Sequence, residues 1–280
     1  MKSAAFAYRR VNSLHSGLVQ VASAGDTVKV MAGSQSLGPM LNLRLARPGT
    51  LIDISGMEEL RSATLEGDTL RLGAGLTHAE IEDGVFEAIA NHPWRHIAAK
   101  IAYRGIRNRG TLGGSLAHAD PAADWVLAAW AFGAQLEIAS RQAARRVAIQ
   151  DFMTGAYATV LKSDEILVAV LLPRFEAGVR WGYYKFCRKP GEFALASCAA
   201  VFGPAPSSAR VVIGAQDGTP RNLEHLAGQV AREGIAAATP AAIDEALGEA
   251  MPGKDAIDRK FFASVVRRCL EQAHGLREVA

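Results

Sequence analysis

Cysteine is scarce in this chain: Cys187, Cys198 and Cys269 are the only three in 280 residues. The count is odd and no two fall in a CxxC spacing, which argues against a disulfide framework and against a zinc or redox motif of that kind. A four-thiolate iron–sulfur cluster cannot be assembled from this chain alone. The thiols read as small buried hydrophobes in a reducing compartment. Long apolar runs are also missing, and none reaches the roughly 18 residues that a helical membrane span requires. The N-terminal stretch MKSAAFAYRRVNSLHSG is interrupted by Tyr8, Arg9 and Arg10 and makes a poor secretory signal, so the expected location is the cytoplasm. Excess charge of one sign is lacking as well. Lys and Arg number 31 against 28 Asp and Glu, a net charge of +3. The basic residues are scattered in small groups such as Arg141, Arg145 and Arg146, so neither nucleic acid nor a membrane surface is an expected partner.

What is present is an ordinary globular composition, 49% apolar and 21% charged, able to bury a substantial core without staples. The apolar spacing predicts a helix over Ser13 to Ala24, then strands at Thr27 to Gly33 and Leu51 to Ile54. ATLEGDTLRLG reads as a hairpin turning at Gly67–Asp68. Thr77 and Glu80 form a capping box at the start of another helix. A helix over Ala88 to Tyr103 must start or break at Pro93. DWVLAAWAFGAQLEIAS runs from helix to strand with Gly133 at the junction, and EILVAVLLP is a buried strand stopped by Pro173. Farther on, GVRWGYYKFCRK, FALASCAAVFG and ARVVIGAQDG read as three strands, the last two joined across Gly203 to Ser208. Leu223 to Gly234, Pro240 to Met251 and Asp258 to Leu276 read as helices, with Phe261, Phe262, Val265 and Val266 assigned to the core and a partner face as their other reading. The predicted organisation is 1–56, 57–175 and 176–280.

Two glycine-rich loops carry the chemistry. The first, MAGSQSLGPM, follows a strand from Met31. Gly33 and Gly38 admit backbone angles closed to other residues, and Ser34 and Ser36 are small donors, so successive amides can form an anion nest. The loop matches neither a GxGxxG fingerprint nor a Walker A motif, and its other reading is a plain strand-to-helix turn. The second, GTLGGSLAHADPAADW, combines Thr111, Gly113, Gly114 and Ser115 in what reads as bare backbone with hydroxyl donors. His118 is either a phosphate donor or a structural histidine. Asp120 and Asp124 flank Pro121, and Asp124 either caps the next helix or accepts a ribose hydroxyl. Two such loops suit a dinucleotide, whose pyrophosphate can be gripped from both sides.

These residues resemble the FAD-binding medium subunit of molybdenum hydroxylases, the group of carbon monoxide dehydrogenase and of the xanthine dehydrogenase flavin domain. The likeness covers nearly the whole chain through four ordered motifs: AGSQSLGPMLNLRLARPGTLIDIS, IRNRGTLGGSLAHADPAADW, DEILVAVLLP and YYKFCRKPGEFALASCAAV. It implies an α+β fold. A two-part FAD-binding domain, a small α/β subdomain plus a mixed or antiparallel α+β subdomain, is followed by a C-terminal three-stranded sheet with a helical bundle. It also implies a cofactor site. Ala32, Gly33, Ser34, Gln35, Ser36 and Leu37 would wrap the pyrophosphate, with Met31 beside them in the cofactor-binding set, and Thr111, Gly113, Gly114 and Ser115 would take the other side of the cofactor. His118 would lie near the phosphates, Asp124 would bind a cofactor hydroxyl, and Asp120 belongs to the same cofactor-binding set. Leu167 would sit next to the isoalloxazine ring, and Lys185 close enough to stabilise its reduced anionic form.

The chain departs from the family pattern in places. Ser34 replaces the second glycine of AGG, and Ala102 and Tyr103 stand where a glycine and a histidine are frequent. Ile101 lies where some relatives place an aromatic ring, so Tyr103 either stacks on the flavin or packs in the core. Gln35 replaces a histidine found in some relatives, and no histidine lies in the first loop, so the FAD is expected to be non-covalent. The insertion and cysteines of the relatives that reduce aromatic thioesters are missing. The expected role is electron transfer from [2Fe–2S] clusters through FAD to NAD⁺, a quinone or oxygen. Molybdopterin and the clusters would reside in a large and a small partner subunit, in a dimer of heterotrimers. No catalytic acid–base pair and no metal site is expected in this chain. Two alternatives stand beside this: a free-standing FAD oxidase or reductase, with a base from Tyr183, Tyr184 or Arg188, and a non-catalytic binding protein that has lost FAD.

Overall fold

The computed structural model describes residues 2–23, 25–205 and 208–278. The chain divides into two units, one of residues up to Ala119 with Ala134–Arg174, the other of Asp120–Gly133 with the residues from Phe175 on. The expected subdomains 1–56 and 57–175 thus share the first unit, except for the segment 120–133 and Phe175.

The first unit opens with β1 (Ala7–Arg10), α1 (Leu14–Ser23), β2 (Val28–Met31), α2 (Leu37–Asn42) and β3 (Thr50–Asp53). The three strands pair in parallel in the order β1-β3-β2. Parallel neighbours require crossovers, which α1 and α2 supply. A hairpin of β4 (Ala63–Glu66) and β5 (Thr69–Gly73) follows, turning at Gly67 with φ +61°. Next come α3 (His78–Asp83), α4 (Trp94–Ala99), α5 (Arg104–Arg107) and α6 (Leu112–His118). After α7 (Asp124–Ala131), which belongs to the second unit, the chain returns through β6 (Gln135–Ala139), β7 (Ala144–Ala148), α8 (Ile149–Phe152), β8 (Met153–Gly155), β9 (Ala158–Thr159) and β10 (Ile166–Pro173). The long antiparallel sheet has the order β4-β5-β10-β6-β7. Its central strand β10 is buried from Ile166 to Leu172, which explains the unbroken apolar run, and Pro173 closes it because proline has no amide to continue the ladder. Val11, Leu18, Val21, Ile52, Met57, Ile166 and Val168 form one core joining both sheets through α1.

The predicted helix over Ala88 to Tyr103 is divided. A 3-10 turn at Glu87–Ile89 precedes Pro93, which is the N-cap of α4, and α4 ends six residues later at Ala99. Proline has no amide for a continuous helix, so the chain restarts there.

In the second unit, β11 (Arg180–Phe186), β12 (Ala196–Phe202), β13 (Arg210–Gly214) and β14 (Arg221–Asn222) form an antiparallel sheet in sequence order. The two-residue β14 is a fourth strand beyond the three expected, too short to leave a periodic signal. Residues 206 and 207, within the connection expected between β12 and β13, lie outside the described residues. All of β12 is buried. α9 (Glu224–Glu233), α10 (Pro240–Ala250) and α11 (Ala256–Ala273) complete the unit, and Phe262, Val265 and Val266 join its core. Phe261 does not. It is 41% exposed and packs edge-to-face on Phe186, with ring centroids 4.6 Å apart.

Gly182 sets how closely β11 approaches α11, because a Cβ there would lie 2.1 Å from the Cys269 carbonyl oxygen. Gly182→Ala must push the helix from the sheet and is expected to destabilise the chain by about 1–3 kcal/mol, as overpacking does. A denaturation midpoint equal to that of the wild type would contradict this packing.

Candidate functional site

The first loop leaves β2 at Met31, opposite Asp53 in the register with β3, and reaches α2 at Leu37. Ser34 turns it with φ +59°, in the left-handed region that favours glycine. The turn is fastened by the Gly38 amide donating to the Ser34 carbonyl at 3.1 Å and by Gln35 Nε2 donating to the Gly33 carbonyl at 3.1 Å. Among the described residues, the amides from Gly33 to Leu37 donate to no acceptor in the protein. Consecutive free amides around a left-handed turn make a concave anion site. Below the loop, Asp53 is fixed by hydrogen bonds from the Tyr8 hydroxyl and, at 2.8 Å, from the Ser55 amide. Burial opposes its ionisation, but these bonds and the charge of Arg10 hold its carboxyl below the usual range.

The second loop differs from its sequence reading, in which its backbone was bare. The Leu112 amide donates to the Leu76 carbonyl at 2.9 Å, Gly113 to Ala74 at 2.8 Å and Ser115 to Thr111 at 3.0 Å. The Gly114 amide is capped by Thr111 Oγ1 at 3.1 Å. These amides are used because the loop is sewn to the segment after β5. His78 donates its amide to the Gly110 carbonyl, and a Cβ on Gly113 would lie 2.4 Å from that of Ala74. What the loop offers outward is the exposed Gly114 and the half-buried Ser115.

The two loops meet backbone to backbone. A Cβ on Gly33 would lie 2.0 Å from the Arg109 carbonyl oxygen and 2.9 Å from Gly110 Cα, and one on Gly114 would come within 4.0 Å of Ala32 Cβ. A cavity of about 240 Å³ lies beside this contact, lined by Ala32, Gly33, Ser55, Arg61, Asn108 and Thr111 among others. Glu80, the capping-box partner of Thr77, grips the Arg61 guanidinium, whose Nε is buried without a hydrogen-bond partner. An orphaned guanidinium donor at this cavity, with the free amides of the first loop running on from Gly33 at its edge, suits an anionic group. Asn108 and Arg109 lie inside the second motif but were not picked out from sequence. Arg61 follows a 3-10 turn and had no motif to mark it.

Residues 101–107 form a strap beside this contact. Ala102 has φ +42°, and Arg107 Nη1 donates to the Ile101 and Ala102 carbonyls, each at 2.9 Å. The same guanidinium reaches both carboxylate oxygens of Glu82, at 2.7 and 3.0 Å. Tyr103 is 60% exposed, so it does not pack in the core. His118 is half-buried against Tyr157, with ring centroids 5.2 Å apart, and Leu167 is buried within β10.

In the second unit, Asp120 accepts the Ala122 amide at 2.9 Å. Asp124 is not the helix cap: Ala123 holds that position, and Asp124 is the first residue of α7. Its Oδ1 accepts the Tyr183 hydroxyl and sits 2.8 Å from Lys185 Nζ. Both side chains of the ion pair are 6% exposed. Lys185 is therefore a cation matched to a carboxylate inside its own unit.

Residues 4–175 match the family model described as the FAD binding domain in molybdopterin dehydrogenase. The nicotine 6-hydroxylase medium subunit of Paenarthrobacter nicotinovorans is 39% identical over 197 residues, 69% of this chain and 68% of that protein. The carbon monoxide dehydrogenase medium chain of Hydrogenophaga pseudoflava is 36% identical, covering 70% and 68%. A solved structure of reconstituted carbon monoxide dehydrogenase from Oligotropha carboxidovorans superposes with a TM-score of 0.88 at 28% identity, over 98% of this chain and 99% of that one. The chain belongs to the family of FAD-binding domains of molybdopterin dehydrogenases, and is a flavoprotein component of an oxidoreductase of the molybdenum hydroxylase class.

Ser34 and Ala102 both hold left-handed backbone at positions where the family resemblance pointed to glycine. Ser34→Gly and Ala102→Gly are each expected to stabilise the chain by about 0.5–1 kcal/mol, because the steric penalty exceeds the extra chain entropy of glycine. Denaturant midpoints measure this, and a loss at both positions would contradict the strain. His78, close under Gly110, is pushed down to about 4 by burial and secondarily by the charge of Arg107. It is neutral in the folded chain but takes a proton near pH 6.5 when unfolded. Its contribution is complete above about pH 6.5 and is lost as the pH falls toward 4. His78→Gln should flatten the pH dependence of unfolding over that window, and an unchanged slope would argue against a neutral buried imidazole.

Proposed function

We propose that this chain is the electron-transfer flavoprotein subunit of a heteromeric molybdenum hydroxylase. The observation that carries the reading is the first loop, where five consecutive amides without acceptors among the described residues run on from Gly33, which lines a cavity shared with the second loop, in a chain of this family. Gly33 to Leu37 would hold the FAD pyrophosphate, with Met31 and Ala32 leading into the turn. Gly114 and Ser115 would border its other side, while Thr111 and Gly113 hold that side in shape. Arg61 adds a charge-assisted donor at the cavity. Tyr103, His118, Asp120, Asp124, Leu167 and Lys185 complete the proposed set, Tyr103 as the exposed ring available for stacking. The FAD is bound non-covalently, since the first loop holds no histidine.

Relatives bear names such as medium subunit and medium chain, which supports partner subunits, one small with [2Fe–2S] clusters and one large with the molybdenum cofactor. A dimer of such heterotrimers in the cytoplasm is the assembly we infer. Among the described residues no helix is long and apolar enough to cross a membrane. Bound FAD would supply the exchange between one-electron and two-electron transfer. The chain's own work is to orient the cofactor between the nearest cluster and an external acceptor, NAD⁺, a quinone or oxygen. Substrate recognition then belongs to another subunit. A free-standing oxidase has less support, because two of its candidate bases already have partners within the chain. Tyr183 is buried on Asp124, and Tyr184 is bonded to Arg268.

The purified chain is expected to show flavin absorbance, directly or after FAD is added. Absence of any flavin uptake would sink the assignment, and turnover of a substrate by the chain with FAD alone would sink the subunit role. Gly114→Asp should weaken FAD binding by more than about tenfold, since it puts a carboxylate beside the phosphate site and crowds Thr111 Oγ1, 2.7 Å from the added Cβ. Gly114→Ala, which shares the crowding but not the charge, should lose less. Equal losses would show that charge plays no part.

A further inference from the structure

The Asp124 carboxylate is held more firmly than a simple acceptor needs to be. It stands at the first position of α7, 7% exposed, and both of its partners converge on one oxygen, Oδ1. Tyr183 approaches from the middle of β11, 59 residues away, and is itself 1% exposed. Its amide donates at 3.0 Å to Gln272 Oε1 on α11, which pins the tyrosine between sheet and helix. Lys185, two residues along the same strand face, supplies the ammonium. Neither of these contacts uses Oδ2.

We infer that Tyr183 is a positioning residue for the cofactor. Its phenol and the Lys185 ammonium lock Oδ1 of Asp124, so that Oδ2 is presented in one orientation as the acceptor of a cofactor hydroxyl, and Lys185 acts through Asp124 rather than on the flavin ring. The inference rests on the proposed role of Asp124 in FAD binding. A carboxylate with both oxygens free turns about its last bond and must be ordered when ligand arrives. One already held by two donors brings that cost to the folding of the protein instead. A buried ion pair is a poor source of stability, because losing water offsets its attraction, so orientation accounts better for the cluster than fold strength. Burial, reinforced by the adjacent Asp124 charge, pushes the Tyr183 phenol well above its ordinary range, and it therefore remains a donor to the carboxylate. The ammonium, neutralised by that carboxylate at 2.8 Å, brings no net charge toward a reduced ring.

The test is a set of FAD titrations on the full-length chain freed of flavin, with thermal midpoints measured in parallel. Tyr183→Phe, Lys185→Met and Asp124→Asn should each weaken FAD binding by about tenfold, the usual scale for a lost hydrogen bond to a charged group. Tyr183→Phe combined with Asp124→Asn should bind no more weakly than Asp124→Asn alone, since the phenol acts only through the carboxylate. Asp124→Asn with Lys185→Met removes both charges. It should recover the thermal midpoint lost in Lys185→Met but not the affinity, an outcome that a merely structural cluster would not give. The flavin retained by Lys185→Met should keep the wild-type midpoint potential. Full additivity of Tyr183→Phe with Asp124→Asn, recovery of affinity in the charge-free pair, or a potential shift in Lys185→Met at unchanged affinity would each overturn the inference. Should Tyr183→Phe fail to fold, the Lys185 and Asp124 variants decide it by the same comparison. A wild-type chain that binds no FAD would instead overturn the underlying assignment.

Discussion

The close approach of Gly33 to the Arg109 carbonyl is the constraint on which the candidate site depends. A methyl group at Gly33 would lie 2.0 Å from that oxygen, so no side chain fits between the loops and the backbones themselves set the gap. The first loop extends the parallel sheet through β2. The second is tied to the antiparallel sheet by hydrogen bonds to Ala74, Leu76 and His78. Their contact therefore fixes the end of one sheet against the other, and the row of free amides starts from a set position at Gly33, on the cavity wall. A phosphate site made of amides needs that rigidity, because each amide is a weak donor and the site's strength comes from several aimed together.

The two loops contribute differently, although their sequences look alike. The second spends its amides on the protein and gains a fixed shape, whereas the first leaves its amides free of acceptors among the described residues. The strain in the region follows from that division. Ser34 and Ala102 hold left-handed backbone without being glycine, and each is restrained from outside its own residue. Gly38 donates back to Ser34, and Arg107 bonds both carbonyls of the Ile101–Ala102 turn while Glu82 holds the guanidinium. Such conformations persist where neighbouring bonds over-determine them, and here they border the candidate site.

Charge in the second unit is arranged with the same economy. The family resemblance implied Lys185 as a cation close to the isoalloxazine ring. In the fold its Nζ lies 2.8 Å from a buried Asp124 oxygen that also accepts the Tyr183 hydroxyl. The field near a redox group depends on net charge, so this pairing changes the electrostatic description of the site even though both residues stay in the proposed set.

Much of this protein was determined by its local sequence. Apolar spacing was enough for α1, β2, β3, β10 and the three C-terminal helices. The turn at Gly67, the capping box of Thr77 with Glu80 and the break at Pro93 follow from rules that act within about four residues. The four ordered motifs were enough to point to the family and to the loops that would hold FAD. The tertiary structure decided which groups remain free. Whether an amide in GTLGGS is bare depends on Ala74 and Leu76, and whether Asp124 caps a helix or receives a lysine depends on a strand some sixty residues later. The exposure of Tyr103, the orphaned Nε of Arg61 and the angle at Ser34 belong to the same class. Sequence pattern records what a segment forms by itself. Hydrogen-bond satisfaction and close backbone approach are properties of pairs of segments, and only the fold brings those pairs together.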